Sequence, residues 1–176
     1  MELAQASLRF EKLTPAHQER CARFENQEDE LVKFLREDAW HQQCLKISTT
    51  YLVFRDGEET GIPLGYVALL NDSIRIEENS TLGERMRGKG VRYHYLPALK
   101  VGRFAVDSRF QRQGIGGGML DFAVQTAQDI SNDVGCRFLV VDSKRPAEAF
   151  YARNGFKPLI HAKSETIKMY LDLAEK

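Results

Sequence analysis

The stretch QRQGIGGGML, residues 111–120, places four glycines within five residues, directly before a run that suits a helix. It follows the strand-like GRFAVD, and apolar residues recur at helical spacing after it, at Ile115, Met119, Phe122, Ala123, Ala127 and Ile130. A strand, a glycine-rich turn and a helix form a seat for an anion, because the first helical turn has unbonded N–H groups and a positive dipole end. The spacing differs from GxGxxG and GxxxxGKS/T, which disfavours a dinucleotide fold or a P-loop. A flexible loop, or a close contact between helix and sheet, is the alternative explanation for the glycines.

The rest of the chain alternates strand and helix patterns. The predicted strands are SLRFEKL, ISTTYLVFR, IPLGYVALL, PALKVGRFAVD, CRFLVVD, FKPLI and ETIKMYLDL, with a hairpin around DGEETG. The predicted helices follow Pro15, span residues 28–45, begin at the glycines, and lie between Pro146 and Gly155. The length suits a single domain over residues 1–176, with an α/β (α+β) fold, a mostly antiparallel mixed sheet and about four helices.

Residues 72–96 break this periodicity with Asn, Ser and Gly, which predicts an inserted basic loop. In the strand that follows, apolar residues change from odd positions, Leu99 and Val101, to even positions, Phe104 and Val106. A change of parity requires one extra residue, so we predict a β-bulge near Gly102 and Arg103.

Composition disfavours several classes of function. Lys plus Arg equals Asp plus Glu, so no global field marks a nucleic-acid-coating or membrane-coating protein. No apolar run approaches the ~20 residues of a membrane span, and the start MELAQASLRFEKL lacks a signal-peptide layout, which predicts a cytoplasmic protein without membrane contact. Three scattered cysteines and four dispersed histidines indicate neither a disulfide framework nor a metal site.

Positive charge is nevertheless concentrated locally. Residues 84–103 carry one acidic side chain, Glu84, against six cations: Arg85, Arg87, Lys89, Arg92, Lys100 and Arg103. Interleaved with Tyr93, His94 and Tyr95, such cations suit phosphate contacts and base stacking in a nucleic acid. A solvated basic loop is the alternative.

Two motifs resemble the GNAT superfamily of acetyl-CoA-dependent N-acetyltransferases. Residues 111–116 match its Q/R-x-x-G-x-G/A signature, after a segment similar to the family's fourth strand. AEAFYARNGF, residues 147–156, resembles the Ala-x-x-x-Tyr-x-x-x-Gly-Phe segment that follows the family's fifth strand. The motifs occur in the family's order with a strand between them, and the order of elements agrees over nearly the whole chain.

The resemblance implies a sheet that splays between strands four and five, with the pantetheine arm of acetyl-CoA lying there like an additional strand. It also implies that the pyrophosphate lies on the amides of the glycine-rich turn. The residues expected at acetyl-CoA are Phe104, Ala105, Val106, Gln111, Arg112, Gln113, Gly114, Ile115, Gly116, Gly117, Lys144 and Ala147. Lys144 stands where such families often carry Asn, and Arg112 stands where they carry Gly.

Tyr151 occupies the position of the family's usual general acid. A phenol with a pKa near ~10 stays protonated at pH 7 and can supply a proton to the departing thiolate of CoA. Ordinary packing is the alternative role for Tyr151. The backbone N–H near Val106 is expected to meet the oxyanion.

A general base is harder to identify, because the strand over residues 97–107 contains no Glu. An α-amino group, with a pKa near ~8, is partly neutral at pH 7, whereas a lysine amine near ~10.4 is almost wholly charged. The missing carboxylate therefore favours an α-amino acceptor. Tyr93, His94 and Asp107 are weaker candidates for the base.

Three stretches resemble the branch of the family that acts as toxins by acetylating the α-amino group of aminoacyl-tRNA: FENQEDELVKFLREDAWHQQ, LGERMRGKGVRYHYLPALKVGRFAVD and FYARNGF. That resemblance implies an antitoxin partner with a ribbon-helix-helix DNA-binding domain. The residues expected to hold the acceptor are Arg85, Arg87, Lys89 and Arg92.

Three functions stay open from the sequence. They are an aminoacyl-tRNA acetyltransferase, an acetyltransferase for small amines or peptide N-termini, and a non-catalytic acetyl-CoA-binding module that regulates a partner. A homodimer is also open.

Overall fold

A computed structural model describes residues 7–57, 61–77, 80–159 and 165–175. The strands are β1 (Leu8–Lys12), β2 (Thr49–Arg55), β3 (Gly65–Arg75), β4 (Tyr95–Val106), β5 (Phe138–Lys144), β6 (Lys157–Pro158) and β7 (Thr166–Asp172). The helices are α1 (Gln18–Cys21), α2 (Asp29–Lys33), α3 (Ala39–Cys44), α4 (Thr81–Gly88), α5 (Ile115–Asp133) and α6 (Glu148–Arg153), and a π-helical turn at Phe34–Asp38 joins α2 to α3. The predicted chain start, the DGEETG turn and the strand FKPLI each include residues outside the described ranges.

The strands form a mixed sheet in the order β1-β2-β3-β4-β5-β7-β6. β4 and β5 are parallel, whereas β1 with β2, β2 with β3, β5 with β7 and β6 with β7 are antiparallel. The predicted α/β fold with a mostly antiparallel mixed sheet is confirmed.

The parallel pairing of β4 with β5 is short. It runs from Ala98 opposite Phe138 to Val101 opposite Val141, although β4 continues to Val106 and β5 continues to Lys144. The parallel pairing therefore ends next to Gly102, which agrees with the splayed sheet that the resemblance implies.

Burial along β4 does not follow the predicted change of parity. The odd-numbered Leu99, Val101 and Ala105 are all buried, whereas Phe104 and Val106 are half-buried. The bulge therefore stays a prediction without support from burial.

The chain divides into two compact units, the first comprising residues 1–70 and 102–123. Tyr66 is central to the core of this unit, with its ring centroid 5.4 Å from that of Phe24 and 6.0 Å from that of Phe34. Its hydroxyl donates to the Leu31 carbonyl oxygen at 2.8 Å, which ties α2 to β3. The helix pattern predicted over residues 28–45 is present, but Leu45 is exposed because α3 ends one residue before it.

The second unit comprises residues 71–101 and 124–176, and it contains α4 where a loop was predicted. The prediction of a loop over residues 72–96 is wrong where the structure describes those residues. β3 and β4 extend into the segment from its two ends, and α4 lies between them. The Ser80 hydroxyl caps α4 by accepting from the Gly83 N–H at 3.0 Å. Leu82 and Met86, one helical turn apart, are buried in the core of the unit.

None of the helices within the described ranges combines the length and the hydropathy that a membrane span requires. Within the same ranges, no group of three or more His, Cys, Asp or Glu side chains could hold a metal ion.

Substitution of Gly65, at the start of β3, tests how closely the first unit is packed. A methyl group added there would lie 2.7 Å from the Ala105 carbonyl oxygen and 2.7 Å from the Met119 Sδ. Because the backbone cannot yield as a side chain can, we expect Gly65→Ala to lower the free energy of unfolding by about 1–3 kcal/mol. Gly88→Ala is the matched control, since no atom lies within 4 Å of its added methyl. Urea unfolding that finds the two variants equally stable would contradict this packing.

Candidate functional site

The glycines of the turn at 111–118 serve different purposes. Gly114 has a φ of +81° and Arg112 a φ of +61°, so the chain enters the left-handed region twice before α5 begins. A methyl group at Gly118 would lie 2.6 Å from Leu8 Cδ1, so this glycine permits close packing of helix against strand. At Gly117 no atom lies within 4 Å of an added methyl. Close packing therefore accounts for Gly118, whereas the open space beside Gly117 suits an anion.

The first turn of α5 has the properties of an anion site. The N–H groups of Ile115, Gly116 and Gly117 precede the first helical hydrogen bond, which Gly118 donates to the Gly114 carbonyl oxygen at 3.3 Å. Gly116 and Gly117 are half-buried, and the residues from Gln111 to Gly114 are exposed, including the Arg112 side chain. An anion reaching this turn would meet N–H groups, the positive end of a long helix and a cation.

Arg55 also supports the turn, which the sequence did not indicate. Its Nη2 donates to the Gln113 Oε1 at 3.1 Å. The two residues are far apart in the chain, and no local pattern links a β2 arginine to this turn.

Asp107, directly after β4, is fully buried and holds the entry to the turn. Its carboxylate accepts from the Glu25 N–H at 2.9 Å, and from the N–H, Nε and Nη2 of Arg109 at 3.0, 2.8 and 2.6 Å. Burial alone would raise the pKa of Asp107, but the hydrogen bonds from Arg109 and from the Glu25 N–H bring it below its ordinary value. Asp107 thus has a structural role at the entry to the turn, and its lowered pKa makes it a weak base.

The peptide groups at the end of β4 face alternate edges of the strand. The Ala105 carbonyl oxygen faces Gly65 on β3, and the Asp107 N–H donates to the Leu64 carbonyl oxygen at 2.8 Å. Because successive residues of a strand direct their N–H and C=O to opposite edges, those of Phe104 and Val106 face away from β3. Of the three strand residues predicted to contact pantetheine, Phe104 and Val106 have the suitable orientation and Ala105 does not.

The Val106 carbonyl oxygen already has side-chain partners on that edge. The Asn26 Nδ2 donates to it at 2.9 Å, and the Gln111 Nε2 lies 3.4 Å from it. Sequence reasoning missed Asn26. An Asn whose side chain accepts the N–H two residues later forms a recognisable Asx turn, but nothing local indicates its contact with β4.

Tyr151 lies on α6 within an aromatic cluster. Its ring centroid is 5.1 Å from that of Phe150 and 5.5 Å from that of Phe156, both with edge-on geometry. The residue is buried, and burial raises the pKa of its hydroxyl. A phenol in this environment stays protonated throughout the physiological pH range. Ala147 ends the turn before α6, and Lys144 is exposed at the end of β5.

Arg85 differs from the other predicted acceptor-binding cations. Its Nη2 lies 2.9 Å from the Asp172 Oδ2 and its Nη1 lies 2.8 Å from the Glu175 Oε2. Arg137 approaches the same buried Asp172 carboxylate, with its Nη2 donating at 3.0 Å. The two ion pairs of Arg85 therefore anchor α4 against the end of β7, and its guanidinium is not part of the exposed basic surface.

Two further cations of the basic segment are also engaged. Lys100 pairs with Asp142, and the Arg103 guanidinium lies 5.3 Å from the Phe34 ring centroid. The exposed remainder, which we term the 87–95 surface, combines three cations with two rings that are 77% and 61% exposed. It consists of Arg87, Lys89, Arg92, Tyr93, His94 and Tyr95.

Comparison with known proteins identifies the family. A family model for an acetyltransferase (GNAT) domain matches residues 46–158, well over half of the chain. AtaT complexed with acetyl-methionyl-tRNAfMet is 26% identical, with a TM-score of 0.82 and 96% of each chain covered. A tyrosine-to-phenylalanine variant of the AtaT toxin, bound to the C-terminus of the antitoxin AtaR and to acetyl-CoA, is 25% identical, with a TM-score of 0.75 over 96% of this chain and 94% of that chain. A tyrosine-to-phenylalanine variant of KacT has a TM-score of 0.81 over 96% of each chain at 24% identity, which shows the fold alone.

The matched region contains both the turn at 111–118 and Tyr151. This chain therefore belongs to the GNAT family of acetyltransferases, and it is an N-acetyltransferase with the fold of the toxin AtaT.

Proposed function

We propose that this chain transfers the acetyl group of acetyl-CoA directly to the α-amino group of an aminoacyl-tRNA. The observation that carries the acceptor is the similarity, over 96% of the chain, to AtaT in complex with acetyl-methionyl-tRNAfMet. The AtaT variant that holds acetyl-CoA and the C-terminus of AtaR supports the donor, and it also supports an antitoxin as partner of this chain.

The donor is proposed to lie along the end of β4 and on the first turn of α5. The peptide groups of Phe104 and Val106, on the edge away from β3, would pair with the pantetheine amides. The pyrophosphate would accept hydrogen bonds from the backbone N–H groups between Arg112 and Gly117. The open space beside Gly117 suits the close approach of an anion. Gln111, Gln113, Lys144 and Ala147 complete the proposed coenzyme contacts.

The reaction forms one bond and breaks one. The neutral amine attacks the thioester carbonyl carbon, the oxyanion is stabilised by the Val106 N–H, and the carbon–sulfur bond breaks. The departing thiolate takes the hydroxyl proton of Tyr151, which the raised pKa keeps on the phenol until that step, and solvent then returns a proton to the phenolate. The acceptor nitrogen releases its extra proton to solvent. An α-amine with a pKa of about 8 needs no strong protein base at pH 7, which agrees with the structural role of Asp107.

The 87–95 surface is proposed to hold the tRNA. Arg87, Lys89 and Arg92 would contact phosphates, and the exposed rings of Tyr93 and Tyr95 would stack on unpaired bases. Arg85 would contribute only by holding α4 in place.

Labelled acetyl-CoA with total aminoacylated tRNA tests the acceptor. We expect label on the aminoacyl moiety, and none on deacylated tRNA. Transfer to methionine amide but not to aminoacyl-tRNA would instead support the small-amine function.

Tyr151→Phe tests the proposed acid. We expect the turnover number to fall by about 10²-fold or more, with the affinity for acetyl-CoA unchanged, because the variant lacks only the donating hydroxyl. Tyr170→Phe is the control, since Tyr170 is a buried tyrosine of the same unit. Thiol release by Tyr151→Phe at the parent rate would show that Tyr151 only packs.

Arg87→Ala and Arg85→Ala separate phosphate contact from anchoring. We expect Arg87→Ala to weaken tRNA binding and to reduce the slope of log affinity against log salt by about 0.7–0.9, with stability unchanged. Arg85→Ala should leave that slope intact and lower the free energy of unfolding by about 1–3 kcal/mol, because Asp172 loses a charged partner. Filter binding at several salt concentrations and thermal unfolding distinguish the two. A reduced slope in Arg85→Ala would contradict the anchoring role.

A further inference from the structure

Asn26, between α1 and α2, has both ends of its side-chain amide engaged. The Oδ1 accepts from the Glu28 N–H at 2.9 Å, and the Nδ2 donates to the Val106 carbonyl oxygen at 2.9 Å. Because a backbone N–H can only donate and a carbonyl can only accept, these partners determine the orientation of the amide. Asn26 is therefore a fixed donor aimed at the end of β4.

The segment that carries Asn26 is held against the end of β4 without help from Asn26. The Ser108 N–H donates to the Glu25 carbonyl oxygen at 2.9 Å, and the Arg109 Nη2 donates to the Arg23 carbonyl oxygen at 2.7 Å. Asp107 accepts the Glu25 N–H as well. The contact between Asn26 and Val106 is thus not needed to join the two segments, and its specific effect is on one peptide group.

That peptide group is restrained from both of its ends. Its oxygen, on Val106, accepts from Asn26, and its N–H, on Asp107, donates to the Leu64 carbonyl oxygen at 2.8 Å. Rotation about the Val106 backbone would break one of these bonds. The Val106 N–H belongs to the preceding peptide group but lies on the same edge of the strand as the Val106 carbonyl, so the bond from Asn26 limits the backbone rotations at Val106 that would turn this N–H away.

We infer that Asn26 is a positioning residue for acetyl transfer, which holds Val106 so that its N–H points at the acetyl carbonyl oxygen as negative charge develops there. The inference rests on the proposed placement of acetyl-CoA along β4. A donor oriented before the reaction stabilises an oxyanion without a cost of reorganisation, so its alignment affects the transition state more than the binding of CoA.

Asn26→Asp tests this role. It keeps an acceptor for the Glu28 N–H but places an oxygen, instead of a donor, against the Val106 carbonyl oxygen. We expect the turnover number to fall by about 10-fold to 100-fold in Asn26→Asp and by about threefold to tenfold in Asn26→Ala, with CoA affinity within about twofold of the parent. Gln27→Glu introduces the same charge at the next residue, which is exposed, and should leave turnover unchanged.

A second measurement does not depend on the acceptor. The ratio of the CoA dissociation constant to that of acetyl-CoA reports the contact with the acetyl group, because CoA lacks the carbonyl. We expect Asn26→Asp to lower this ratio by about threefold, a change that a general loss of stability would not produce. Calorimetric titration measures both constants.

The outcomes separate this inference from the proposed acceptor. A parent protein that binds acetyl-CoA but does not acetylate aminoacyl-tRNA would refute the acceptor, while the ratio still tests Asn26. Parent values of the ratio in Asn26→Asp, or an equal weakening of CoA and acetyl-CoA, would overturn the positioning role. A parent protein that binds neither would overturn the placement of acetyl-CoA and the role of Asn26 together.

Discussion

The central feature of the structure is that the parallel pairing between β4 and β5 ends before β4 does. β4 loses its parallel partner after Val101 but continues for another five residues, so its peptide groups on that edge need partners other than β5. A backbone N–H or C=O group that is removed from water without a hydrogen-bond partner raises the free energy of the folded protein. Proteins therefore pair such groups with side chains, bound water or a ligand. At Val106 the partners of the carbonyl are the amides of Asn26 and Gln111. The proposed placement of acetyl-CoA uses the same edge, because the pantetheine amides resemble those of a strand.

The glycine-rich turn shows how one short segment meets several demands. Gly118 permits a close contact with β1, Gly114 permits a left-handed turn, and Gly117 leaves space beside the first turn of α5. The ion pair between the buried Asp107 and the exposed Arg109 then fixes where the turn begins. The turn is therefore rigid where it joins β4 and exposed where N–H groups are available to an anion.

Charge in this protein is divided between structure and surface. Arg85 and Arg137 converge on the buried Asp172, and Lys100 pairs with Asp142, so these groups are neutralised locally. The exposed Arg87, Lys89 and Arg92 are the cations of the segment that can attract a polyanion. A chain with no net charge thereby retains a surface suited to phosphate contacts.

The sequence alone determined the type and order of most elements, because periodicities of 2 and 3.6 and the glycine-rich turn are local patterns. The family followed from the resemblance of two motifs, and the family model confirmed it. It missed α4, since two buried residues, Leu82 and Met86, stand among arginines and glycines and show their role only when they pack in a core. Tertiary structure decided the partners of the functional side chains. Arg85 meets Asp172 across 87 positions, and Asn26 meets Val106 across 80. No local pattern encodes such contacts, because they arise from the way separate strands and helices pack, and that packing assigned Arg85 to the scaffold and Asn26 to the end of β4.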